Sequence, residues 1–125
     1  MRDIEFRGRT LVTRRWVYGY YTVGRSSGTH SIESKDGTRV VDPATVGQYT
    51  GLTDRNGRRI YEKDIVRTKY GRLCGVSWFS SPSYAGWDLI PLGIADEAPD
   101  EYDLYSPENL KVIGNIYDNP ELLDP

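Results

Sequence analysis

One cysteine and one histidine are all that this 125-residue chain has of the side chains that most often bind metals or form catalytic pairs. A lone Cys74 excludes an internal disulfide and any cysteine-rich zinc site. No apolar run approaches the ~18–20 residues of a membrane-spanning helix. The opening residues MRDIEFRGR carry charge but no hydrophobic segment, so no secretory signal is read there. A reduced cytoplasm is the expected location, with no membrane partner. Positive charge is nearly absent after residue 75, where one Lys stands against 10 Asp and Glu, a net of −9. Residues 1–75 hold 15 Lys and Arg against 8 Asp and Glu, a net of +7. Such polarity fits a basic surface for nucleic acid, an acidic segment that blocks one, subunits meeting head to tail, or two halves of one barrel facing each other. We favour the last, because charge bias alone is weak support for the others.

What is present points to β structure. Ten of the fifteen aromatic residues are Tyr, a residue suited to half-buried sheet faces, where one end is apolar and the other wet. The 13 Gly and 7 Pro are scattered without period, as in a chain of short strands and turns. At 125 residues the chain reads as a single domain, 1–125, able to bury a core without staples.

Residues 47–66, GQYTGLTDRNGRRIYEKDIV, organise the rest. Asp54 opens a turn through its side chain, and Asn56-Gly57 supplies the positive φ that a short hairpin needs. Glu62-Lys63-Asp64 then interrupts the alternation, read as a one-turn helical step before Ile65-Val66 resume a strand.

Upstream, residues 4–7 alternate as a first strand, and residues 14–24 form the clearest strand of this half. Its two apolar faces, Trp16, Tyr18 and Tyr20 against Val17, Tyr21 and Val23, suggest a central strand or a covered edge. Asp36-Gly37 marks a second hairpin, and Asp42-Pro43-Ala44 a turn. Downstream, residues 65–70, 73–79 and 87–92 read as strands, the last broken by Pro91, and residues 93–105 as an acidic irregular segment. Ser106-Pro107 and Asn119-Pro120 look like caps of single helical turns on either side of a strand at 111–116, the last turn carrying Leu122 and Leu123 onto the core. The fold expected is mainly β: a small, antiparallel, barrel-like fold of eight or nine strands with SH3-like elements and a few single-turn helices.

The stretch QYTGLTDRNGRRIYEKDIV, the opening IEFRGR and the ending NLKVIGNIYDNPELL together resemble the YopX family, small proteins found mostly in bacteriophages and prophages of Gram-positive bacteria. The likeness covers roughly half the chain, at both ends and the middle. It departs at Lys63, where the family pattern usually has Gly, the residue that most easily adopts a left-handed turn. The resemblance implies a compact β-rich fold and a phage setting in a bacterial host. It implies no established activity, so it brings no catalytic residues.

The residues themselves give no nucleophile, base and orienter. His30, beside a Ser-rich loop, could take Glu33 or Asp36 as orienter, but neither spacing is diagnostic, and an exposed loop or strand-edge histidine is the simpler reading. Glu62 and Asp64, two apart, could bind a divalent cation with a third oxygen ligand; a carboxylate holding backbone N–H groups at the turn is simpler. Asp96, Glu97, Asp100, Glu101 and Asp103 lack the spacing of a calcium loop and read as a solvated segment. Cys74, alternating with Val76 and Trp78, reads as a small core residue. We therefore expect a non-enzymatic binding or assembly module, without cofactor or metal, that self-associates or binds an unidentified phage or host protein. Tyr61, Glu62 and Asp64 at the central step and Trp16, Tyr18 and Tyr20 as aromatic anchors are the residues expected to bind. The alternative is single-strand nucleic-acid binding through Arg55, Arg58 and Arg59, with Arg7, Arg9, Arg14 and Arg15 interleaved among aromatics. Against it stand the negative total charge and a pI near 5.4. A metal-dependent enzyme is the third and weakest alternative.

Overall fold

Turns at the expected Asx-Gly and Pro positions cut the chain into ten short strands among the described residues, which are 4–69, 71–92 and 107–123 of the computed structural model. The strands are β1 (Phe6–Arg9), β2 (Trp16–Val23), β3 (His30–Ser34), β4 (Gly37–Val40), β5 (Gly47–Thr53), β6 (Arg59–Tyr61), β7 (Asp64–Thr68), β8 (Leu73–Ser81), β9 (Tyr84–Pro91) and β10 (Leu110–Asn115). Three single 3-10 turns, Pro43–Thr45, Pro107–Asn109 and Pro120–Leu123, are the helical elements described. The strands form two antiparallel sheets in the orders β4-β3-β2-β1-β5-β6 and β10-β7-β8-β9. The mainly β, antiparallel expectation holds; the described strands make open sheets and close no barrel.

By their contacts the residues divide into two compact units, Met1–Tyr49 and Thr50–Pro125. In the first, β2 lies between β1 and β3, the central position that its two apolar faces suggest. Val41 and Ile32 are almost completely buried, and Gly8 leaves room for Val41: a Cβ at Gly8 would lie only 3.2 Å from the Val41 Cβ. The Pro43–Thr45 turn forms because Asp42 caps it, its Oδ1 accepting from the Ala44 N–H at 3.0 Å. Thr45 Oγ1 then accepts from the Arg9 N–H and ties the turn to β1.

The core of the second unit is a cluster of Ile60, Val66, Cys74, Val76, Trp87, Leu89, Leu110 and Val112, with Leu52 packed against it. Cys74 is fully buried there, as a small apolar residue. Cys74, Val76 and Trp78 share a face through the β8–β9 register, but Trp78 lies past the covered end of that face. It is half exposed and packs edge-on against Trp87 at 5.0 Å.

Three local expectations are corrected. The first strand begins at Phe6 rather than Ile4, because pairing with both β2 and β5 starts there. The step after Tyr61 is a tight two-residue turn, not a helical one, with Lys63 in the left-handed region at φ +72°. Its backbone is locked on both sides: the Lys63 N–H donates to the Val76 carbonyl at 2.8 Å, and its carbonyl accepts from the Ile116 N–H at 3.1 Å. The terminal Pro120–Leu123 turn forms, yet it buries no residue; Leu123 is exposed and Leu122 half-buried.

Truncating Ile60 to Ala should lower stability by about 2–5 kcal/mol, the usual cost of an enclosed core cavity. Lys63→Gly should raise it by about 0.5–1 kcal/mol, since the left-handed conformation disfavours a side chain. Urea unfolding of both variants checks the pair, and destabilisation by Lys63→Gly would mean that its side chain contributes more than its backbone costs.

Candidate functional site

The turn chemistry that organises the second unit engages its acidic residues. Asp54 Oδ1 accepts from the Asn56 and Arg58 N–H groups, both at 2.9 Å, and shapes the turn between β5 and β6. Its other oxygen, Oδ2, accepts from the Val112 N–H at 2.8 Å, fifty-eight residues along the chain. Beside it the Arg55 N–H donates to the Leu110 carbonyl. Burial pushes the Asp54 carboxyl up, but the N–H groups of Val112, Arg58 and Asn56 and the charge of Arg58 outweigh it, holding the group below its usual value.

Asp64 is 1% exposed, and its Oδ2 accepts from the Tyr61 N–H at 2.8 Å, closing the Glu62-Lys63 turn. Of the three residues expected to bind at this step, Tyr61 and Asp64 are thus buried and Glu62 is half-buried. Arg55, Arg58 and Arg59 are all exposed on and after the Asp54 turn. Among the described residues no three His, Cys, Asp or Glu side chains stand close enough to hold a metal ion. The acidic residues Asp96, Glu97, Asp100, Glu101 and Asp103, and Ser106, lie outside the described residues.

In the first unit, the aromatic anchors come together along β2. Trp16 lies under two guanidinium groups, that of Arg7 4.6 Å and that of Arg9 5.2 Å from its ring centre. Arg7 is itself buried, so part of the basic charge of this half is spent inside the fold. Tyr18 and Tyr20 point outward, with Tyr20 68% exposed. Alternation sends Tyr21 to the other face, where its ring stacks on His30 and its hydroxyl hydrogen-bonds to His30 Nδ1. His30 is therefore a half-buried strand residue with a tyrosine partner.

An open groove of about 830 Å3 runs along β2. Five consecutive residues, 16–20, line it together with charged residues of both signs: Glu5, Glu33, Asp36, Lys35 and Arg39. Side chains on one face of a strand alternate, so an unbroken run of lining residues means that the groove follows the edge of the strand. The aromatic members of this site are legible in the sequence. The charged walls are not, although a long strand faced by a much shorter one ending in an Asp-Gly turn was a signal that could have led to them.

A family model described as YopX protein matches residues 6–124 of the chain. The crystal structure of protein EF1440 from Enterococcus faecalis is similar, with a TM-score of 0.54 and 20% sequence identity, covering 98% of this chain and 99% of that one. At that identity the likeness concerns the fold alone. A comparison with curated proteins finds no match.

Asp54→Ala, which leaves three N–H groups without their acceptor, that of the buried Val112 among them, should cost about 2–4 kcal/mol. Asp54→Asn isolates the charge. A carboxyl whose folded pKa lies below its unfolded value, near 3.8, stabilises fully above that value and loses the contribution as pH falls through the folded pKa. The stability gap between the parent and Asp54→Asn, measured by urea unfolding, should be widest at neutral pH and shrink as pH falls below the unfolded value near 3.8. A gap independent of pH would show that shape, not charge, holds the turn.

Proposed function

The chain belongs to the YopX family, and from that footing we propose that it is a small non-enzymatic binding or assembly module that acts by gripping protein segments in the groove along β2. The observation that carries this reading is the pairing of outward-facing Tyr18 and Tyr20 with walls of mixed charge. Tyr offers a rigid, amphipathic contact at low entropy cost, and an interface core ringed by polar groups is what protein partners use. The setting we assign is a phage or prophage product in the cytoplasm of a bacterial host, on the strength of the sequence resemblance. No helix among the described residues is long and apolar enough to cross a membrane. The short strand, turn and basic strand of residues 60–66 carry the local likeness to SH3-like barrels, and we keep Tyr61, Glu62 and Asp64 there as a structural support for binding rather than its contact surface.

Single-strand nucleic-acid binding is the second reading, favoured by the exposure of Arg55, Arg58 and Arg59. The carboxylates of Glu5, Glu33 and Asp36 in the groove would repel phosphate, which ranks it below. A metal-dependent enzyme has the least support, since Asp54 and Asp64 already hold backbone N–H groups.

Light scattering after gel filtration, over a range of concentrations and with a short single-stranded oligonucleotide at low salt, tests this order. The expected mass rises above the 14.2 kDa of one chain as concentration increases. Tyr18→Glu with Tyr20→Glu should bring it back to one chain, and the oligonucleotide should change nothing. An oligonucleotide shift that Arg55, Arg58 and Arg59 changed to Glu abolish would put nucleic acid first.

A further inference from the structure

Asn56-Gly57, at the tip of the turn that Asp54 shapes, is set for a reaction of its own side chain. Asparagine is thermolabile because its amide is open to attack by the main-chain nitrogen of the next residue, which closes a succinimide ring. The attack needs a following residue with no side chain to crowd it, an N–H that can lose its proton, and an amide able to swing over that nitrogen. Asn56 and Gly57 are both exposed. No atom lies within 4 Å of the place that a Cβ on Gly57 would take. Asp54 holds Asn56 by its main-chain N–H, not by its amide.

The other three asparagines each lack one of these conditions. The Asn115 amide is locked: its Oδ1 accepts from the Tyr117 and Asp118 N–H groups at 3.0 and 2.9 Å, and its Nδ2 donates to Asp118 at 3.0 Å. Asn119 precedes Pro120, whose nitrogen has no proton to lose. Asn109 precedes Leu110, whose side chain is fully buried in the core.

The turn also holds the reaction back. The Gly57 N–H donates to the Asp54 carbonyl at 3.0 Å, and Asp54 Oδ1 takes the N–H groups on either side, those of Asn56 and Arg58, at 2.9 Å. The nitrogen attacks only when its own bond opens, so the rate follows the open population of the turn. We propose that Asn56 is a site of spontaneous deamidation, braked by the Asp54 turn and released as that turn opens. Hydroxide removes the Gly57 N–H proton, the nitrogen bonds to the Asn56 Cγ, and the amide leaves as ammonia, taking a proton from water and returning the hydroxide. Water then opens the succinimide on either side, leaving an aspartate or an isoaspartate in place of the asparagine. Either product puts a negative charge beside the exposed Arg55, Arg58 and Arg59. The isoaspartate also lengthens the main chain between Asp54 and Arg58, so Asp54 Oδ1 can no longer receive both N–H groups at their present spacing. The change reaches Val112, whose N–H the other oxygen of the same carboxylate holds.

The full chain, held at mildly alkaline pH in water enriched in heavy oxygen, is mapped by mass spectrometry after digestion in acid. Asn56 should convert before Asn109, Asn115 and Asn119, taking up heavy oxygen and giving isoaspartate together with aspartate. Asp54→Ser should speed the conversion about tenfold in the folded chain, the rise in open population when roughly 1.4 kcal/mol of turn stability is lost. It should make no difference in the urea-unfolded chain. Should that variant not fold, urea below the unfolding transition of the parent gives the same test, since it too should speed the conversion. The isolated isoaspartate form should unfold at lower urea than the parent. An Asn56 still intact when the urea-unfolded chain has converted, an earlier reaction at another asparagine, or aspartate as the sole product would each overturn deamidation through the ring. A rate that neither Asp54→Ser nor mild urea changes would overturn the brake, and an isoaspartate form as stable as the parent would overturn the link to Val112.

Discussion

A single carboxylate joins local to long-range order in the second unit. Asp54 shapes its own turn with one oxygen and holds the Val112 N–H with the other, so the hairpin arm and the last strand are fixed by one side chain. Charge makes this effective. A carboxylate accepts more strongly than a neutral oxygen, and the buried N–H of Val112 has no water to replace it. The neighbouring Arg55 to Leu110 main-chain bond adds a second tie at the same junction. Ile60 and Leu110, which carry the core there, follow directly from those two elements.

The same economy recurs at Asp64, which closes the next turn through Tyr61, and at His30, which is joined to Tyr21. Residues that a sequence reading must weigh as catalytic or metal-binding are engaged in holding turns and strands. The carboxylate-as-turn-holder reading of the Glu62 to Asp64 step proves the better one at Asp64 for a geometric reason. Lys63 sits at positive φ and reverses the chain within two residues, which aims the Asp64 side chain back at the Tyr61 N–H. A Gly there would be easier, but the two main-chain bonds of Lys63 to Val76 and Ile116 over-determine its conformation.

Turns were the most legible part of this fold. Asp54 and Asp42-Pro43 act through their own side chain or ring and Gly37 through its positive φ, so their signal is local and survives without knowledge of the rest. The alternating strands were legible for the same reason. What alternation cannot convey is which sheet a strand joins and whether the sheets close, because pairing depends on distant partners; hence a barrel was expected where two open sheets stand. Exposure was illegible at Trp78 and Leu123, whose apolar side chains lie just beyond the covered core. Tyr gave the least away. Tyr49 and Tyr61 are buried and Tyr18 and Tyr20 exposed, with no difference in the residue itself to tell them apart.

The charge count shows how far composition can mislead about a surface. A net +7 over residues 1–75 suggests a basic face. Yet Arg7 and Arg9 lie over the Trp16 ring and Arg7 is buried, so these cations are taken up by the fold. The exposed aromatic edge beside them is flanked by Glu5 and Glu33 instead. A chain laid along Tyr18 and Tyr20 would meet the carboxylates of Glu33 and Asp36 as well as the cations of Lys35 and Arg39. The charge that surrounds Tyr20 is thus set by its own neighbours, Glu33 among them, rather than by the sign of the half that contains it.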